Sequence, residues 1–147
     1  MMDFRPMRRE RQQLALADCI GLLKRCTSGV LALLGDGGYP YAVPMSYAYT
    51  AGRIIMHSAL HGHKMDAIAQ RPLCSFCVVD MDEVHPAEYT THFRSVIVFG
   101  RIGIVEDAAQ RLQALRELGQ RFNPSNEMGL QREIERGWPT WPCCSSA

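Results

Sequence analysis

The sequence predicts a small antiparallel β-barrel with helices packed on its outside. Three observations carry that prediction. Short apolar runs recur at hairpin spacing, Gly and Pro stand at the corners between them, and helical 3.6-residue spacing is confined to a few segments.

In chain order, residues 14–26 place Leu16, Cys19, Ile20 and Leu23 at helical spacing, and Ser28-Gly29 ends the pattern. Residues 30–34 (Val-Leu-Ala-Leu-Leu) read as a buried strand, and 35–38 (Gly-Asp-Gly-Gly) as a hairpin turn. Residues 39–49 read as one long strand whose Pro40 and Pro44 imply an edge, a bulge or a barrel corner. A turn at 50–52 leads to a strand over 53–58, then to a short helix over 63–70 that Pro72 ends. A fourth strand runs to about Val79, and polar residues 80–91 read as a long loop of the kind that often carries function. Residues 92–105 form a long strand with Gly100 and Gly103 as bend points. Asp107 caps a helix to about Phe122 with Leu112, Leu115 and Leu118 on its apolar face, and 123–126 is a loop.

At 147 residues the chain reads as a single domain with a real core, with an N-terminal arm over 1–12 and an atypical tail over 137–147. Hydrophobic content of 47% and charged content of 21% are ordinary for globular proteins. A net charge of +1 with dispersed Lys and Arg argues against nucleic-acid binding by bulk electrostatics. No apolar run approaches the ~20 residues that span a bilayer, and no secretory signal opens the chain, so a cytoplasmic protein without a membrane partner is expected.

Six cysteines raise disulfides or zinc, but Cys74-x-x-Cys77 falls in a strand, where positions i and i+3 face opposite sides. Cys19, Cys26, Cys74 and Cys77 are therefore expected to be buried, reduced thiols. His57, His61 and His63 lack a carboxylate or cysteine at ligand spacing, so no metal is expected there.

The most informative stretch is 55–66. An apolar strand ends in His57-Ser58, crosses a Gly-containing turn, and restarts as a helix with Lys64 at its mouth. Free N–H groups and the positive end of the helix dipole suit an anion there, and a Ser hydroxyl, imidazoles and an ammonium would complete a phosphate cradle.

The order Val43-Pro-Met-Ser46, then Gly52-Arg-Ile-Ile-Met-His-Ser-Ala59, then Gly62-His-Lys64, then Phe93-Arg-Ser-Val-Ile-Val-Phe-Gly-Arg101 resembles the FMN-binding split-barrel superfamily typified by pyridoxamine 5'-phosphate oxidase. Met7-Arg-Arg-Glu-Arg11 and Gly37-Gly-Tyr-Pro-Tyr41 are similar to motifs of its nitroimidazole-resistance (Nim-type) branch. The resemblance implies a mainly β fold with flanking helices, a Greek-key split β-barrel, assembled as a homodimer with FMN in clefts at the subunit interface. It implies His57 and Ser58 along the ribityl and phosphate arm, Lys64 on the phosphate, and His63 as a second phosphate contact. Val43, Pro44, Met45 and Ser46 would border the flavin ring, and Ser95 would reach FMN from the partner subunit.

The function implied is an FMN-dependent oxidoreductase acting on nitro-aromatic or other small organic acceptors. The alternative is a non-catalytic flavin- or haem-binding protein. Pyridoxamine-phosphate oxidation itself is a weaker reading, because that enzyme's C-terminal substrate-binding segment is not found. No residue is marked as a general acid or base, and His57 is the one weak catalytic candidate.

The tail departs from the family pattern. Residues 137–147, with Pro139 and Pro142 and no strand alternation, are expected to lack the closing strand of the barrel and to expose Cys143 and Cys144. A frameshift near Thr140 and a genuine variant tail are both open readings.

Overall fold

A computed structural model of the chain describes residues 4–137 and, as backbone, residues 143–146. Its elements are α1 (Leu16–Arg25), β1 (Ser28–Leu34), β2 (Pro40–Ser46), β3 (Ala48–Thr50), β4 (Arg53–His57), α2 (His63–Gln70), β5 (Leu73–His85), β6 (Thr90–Ile104), α3 (Ala108–Phe122), α4 (Glu127–Arg136) and β7 (Cys143–Ser146). The strands are antiparallel in the order β2-β1-β5-β6-β7-β4-β3, and the terminal strands β2 and β3 do not pair with each other. This is a mainly β fold with flanking helices whose sheet stays open, as a split barrel requires. β6 joins its two halves, pairing with β5 as far as Arg101 and with β7 from Ile102.

Alternation sets the two faces of β1, β5 and β6. Leu31, Leu33, Phe76, Val78 and Ile102 point inward and join Tyr47, Ile54 and Met56 in one core, which Leu22 and Leu23 of α1 and Met65 and Ile68 of α2 complete. A second cluster seats Ala114 and Leu118 of α3 on Ala48 and Ile55. The outward positions of the same three strands are also largely apolar: Val30, Leu34, Val79, Ile97 and Phe99 are all exposed. Phe4, from the N-terminal arm, stacks on Phe99 with ring centroids 4.8 Å apart.

The helices over 63–70 and 108–122 form where periodicity places them, and Asp107 caps α3 by accepting from the Gln110 amide at 2.8 Å. Other expectations are corrected. The single strand over 39–49 breaks at Tyr47, which turns inward to full burial and donates its hydroxyl to the Leu23 carbonyl at 2.8 Å. Leu16 lies on the open side of α1, and the buried stripe falls on Leu22 and Leu23. Cys19, Cys26, Cys74 and Cys77 are free, but only partly buried.

Residues 80–91 are not a loop. β5 and β6 continue as a two-stranded ribbon to a 3-10 turn at Pro86–Glu88, with Tyr89 in the left-handed region (φ 50, ψ 40). The ribbon runs past the core, so neither face needs apolar residues, and its sequence reads like a loop. A bulge at Asp80 interrupts the register between Val79 and Met81. There the Asp80 carboxylate accepts from Arg25 at 2.8 and 2.7 Å and from Arg94. α4, over residues the sequence left unassigned, packs on α3 where Gly119 admits the Leu130 side chain.

The missing closing strand is likewise corrected. Backbone pairing sets β7 between β4 and β6, with Met56 opposite Cys144 and Gly103 opposite Ser145. Pro139 and Pro142 precede those four residues and do not interrupt them. The expected exposure of the Cys143 and Cys144 side chains lies outside what is described.

Candidate functional site

Of the predicted site residues, Met45 of β2, Lys64 of α2 and His57 at the end of β4 come together. β2 is an edge strand, so every second backbone N–H and C=O along it has no sheet partner. Along β2, Val43 and Met45 face inward, Met45 being buried, whereas Pro44 and Ser46 are exposed on the outer face. Pro44 contributes only its carbonyl.

β4 ends in His57, which is half-buried, and is followed by Ser58, the one buried polar residue among those described. The Ser58 hydroxyl has no hydrogen-bond partner among the described residues, and with His57, Ala59 and Leu60 it lines a cavity of about 370 Å³. Burial pushes the His57 imidazole below its ordinary value, and the Lys64 ammonium adds to the effect. His57 and Lys64 therefore feel one another across the strand-to-helix connection.

α2 opens behind Gly62, whose φ of 121° is a conformation that disfavours any side chain. The Gly62 carbonyl accepts from the amides of Met65 at 2.8 Å and Asp66 at 3.1 Å. The amides of His63 and Lys64 have no acceptor among the described residues. Lys64 Nζ lies 3.4 Å from Met45 Sδ and forms no ion pair with a described carboxylate. Two N–H groups and an ammonium thus remain unspent at one helix mouth, with the Ser58 hydroxyl in the connection that precedes it. Asp66, exposed in the first turn, opposes an anion there, as does the Asp36 carboxylate 3.7 Å from His63 Nε2.

The His63 ring is engaged by β2 and by the turn that precedes it. It stacks on Tyr41 at 4.2 Å, and its Nε2 accepts from the Asp36 amide at 3.4 Å, tying α2 to the β1–β2 turn. His61 is exposed in the connection.

Ser95 is placed elsewhere. It pairs with Val79 on the outer face of β6, and β1 and β5 lie between β6 and β2. Three steps of about 4.8 Å put it roughly 14 Å from β2 in the same chain. A wide apolar cavity of about 650 Å³ lies on that outer face between Phe4, Leu34, Ser75, Phe99 and Arg101.

Sequence reasoning missed the Tyr41–His63 stack, the Met45–Lys64 contact and the His85–Glu88–His92 group at the ribbon tip. Strand alternation could have found the last of these had 80–91 been read as a hairpin.

No helix among the described residues is long and apolar enough to cross a membrane.

An open antiparallel sheet with its helices outside, split beside a cationic helix mouth, is a split-barrel protein. The chain belongs to the pyridoxamine 5'-phosphate oxidase family, whose profile matches residues 16–136. Curated proteins give no match. Among solved structures, it is similar to a protein of Bacteroides thetaiotaomicron assigned to 5-nitroimidazole antibiotic resistance, with 14% identity, TM-score 0.75, 90% of this chain and 78% of that one. It is similar also to an FAD- and haem-binding protein of Mycobacterium smegmatis (21%, TM-score 0.76, 89% and 65%) and to a flavocytochrome of Azotobacter vinelandii (18%, TM-score 0.78, 95% and 67%). At these identities the likeness is one of fold.

Proposed function

We propose that the chain binds a flavin nucleotide, FMN by preference, with its phosphate at the mouth of α2, and works as an oxidoreductase. The observation that carries this reading is the set of unspent donors: the Lys64 ammonium, the His63 and Lys64 amides and the Ser58 hydroxyl, beside the free edge of β2. Such a set fits a phosphate and the polyol arm attached to it. His57 would lie along that arm, while the backbone of Val43, Pro44, Met45 and Ser46 offers edge donors and acceptors to a flat heterocycle. A bound flavin would supply the hydride and electron chemistry. The chain's own part is to hold the phosphate, orient the ring along β2 and keep His57 neutral beside Lys64. His63 contributes its amide, with its ring engaged by Tyr41.

The active unit in this proposal is a homodimer. Ser95 can join the β2 side of a single flavin only from a second copy, and the exposed apolar face of β1, β5 and β6 offers the surface for one. Nitro-aromatic acceptors are the substrate class suggested by the nitroimidazole-resistance protein of similar fold.

The test is the visible spectrum of the purified protein reconstituted with FMN, followed by NAD(P)H oxidation with and without a nitroimidazole. Saturable flavin binding and acceptor-dependent turnover are expected. Flavin bound without turnover under any donor would leave a carrier or sensor and remove the oxidoreductase. No flavin uptake would remove both.

A further inference from the structure

At the opposite end of the β5–β6 ribbon, three ligand-type side chains converge that the flavin reading does not use. The register sets Glu83 opposite His92 and His85 opposite Thr90, so Glu83, His85 and His92 leave the ribbon on one face. His85 and His92 are then diagonal cross-strand neighbours, and their rings stack with centroids 3.8 Å apart. The tight turn through Pro86–Glu88 folds Glu88 back, and its Oε2 lies 3.2 Å from His92 Nε2. Ligand atoms of His85, Glu88 and His92 all lie within 4.8 Å of one another.

We propose that this hairpin tip is a binding site for a divalent transition-metal ion of the zinc or nickel type. Two imidazoles and one carboxylate form a borderline-soft set that suits these ions, whereas magnesium and calcium prefer oxygen alone. Bonds of about 2.0–2.2 Å hold two ligands of one tetrahedral ion roughly 3.4 Å apart. The set, now within 4.8 Å, therefore needs to contract by at most about 1.4 Å. Glu88 and His92 are exposed and His85 is half-buried, so rotation about their side chains achieves that without moving the core. The Glu83 carboxylate, 3.7 Å from His85 Nε2, adds a second negative charge beside the ion. Three protein ligands leave a coordination position open to water or to a donor from another molecule.

The experiment uses the full chain without an affinity tag, stripped with a chelator and desalted, and titrated with Zn²⁺ and then Ni²⁺ against a chromophoric competitor. One equivalent per chain is expected. His85→Ala and His92→Ala should each weaken binding about ten-fold or more, and the double variant should abolish it with an unchanged far-UV spectrum and melting curve. A variant with both His61→Ala and His63→Ala should keep the site, which separates it from the histidines near α2. Histidine NMR resonances of His85 and His92 should move with the first equivalent. No saturable binding tighter than about 100 μM, or stoichiometric binding that persists in the double variant, overturns the proposal.

Discussion

Replacing Lys64 by Met removes one positive charge from the mouth of α2 while keeping a linear apolar stem against Met45. The ammonium forms no ion pair with a described carboxylate, so the substitution strands no buried partner, and folding stability should hardly change. Its effect on a phosphate should be large. Two unit charges about 4 Å apart attract by about 4 kcal/mol at an effective dielectric of about 20. Desolvation of the half-buried ammonium offsets part of that, leaving about 1.5–3 kcal/mol, as found for hydrogen bonds to charged groups. The expected loss in FMN affinity is therefore about ten- to 150-fold. Riboflavin, which has the same ring and polyol without the phosphate, serves as the internal control. Flavin fluorescence titrations of both proteins should show the loss for FMN, with riboflavin changed by no more than about three-fold. Equal losses for both ligands, or none for FMN, would refute the phosphate assignment. A second readout is independent of flavin. Burial and the Lys64 charge hold His57 below its ordinary value, so its contribution to stability is complete above the unfolded value of about 6.5. That contribution declines as pH falls from there toward the folded value. Lys64→Met should shift the His57 NMR titration upward and make that decline smaller.

Two further outcomes follow from the scaffold. Tyr47→Phe deletes the hydroxyl that satisfies the buried Leu23 carbonyl, and should cost about 1–3 kcal/mol, read as a fall in chemical-denaturation midpoint with unchanged slope. Asp80 is held well below the usual carboxylate range by its hydrogen bonds from Arg25 and then Arg94, so its stabilising effect is complete above about pH 4 and is lost as acid titrates the folded carboxylate. Asp80→Asn should therefore flatten the acid limb of the stability–pH curve, and an unchanged limb would count against the Arg25–Asp80–Arg94 bridge.

The parts of the fold legible in the sequence were those with one buried face. α2 and α3 showed their period because Met65 and Ile68, or Leu115 and Leu118, must meet the core. The 80–91 ribbon was missed because it extends past the core and needs no apolar alternation. β7 was missed because its register depends on backbone partners in β4 and β6, distant in sequence. Lys64 could be read as a helix-mouth cation from the Gly-His-Lys start alone. The direction of His63 could not, since it is set by Tyr41, which arrives from a different strand.

β7 also bears on the order of assembly. The β3–β4 pairing closes a turn of a few residues, whereas Ile54 meets Ser146 across roughly ninety, a loop whose closure entropy must be met before its contacts repay it. Until that happens one side of β4, carrying Ile54, Ile55 and Met56, is an unpaired apolar strand edge open to any extended chain. Four residues at the far end of the sequence thus act as a late-arriving guard against strand exchange between molecules, and refolding yield should depend on protein concentration more steeply without them than with them.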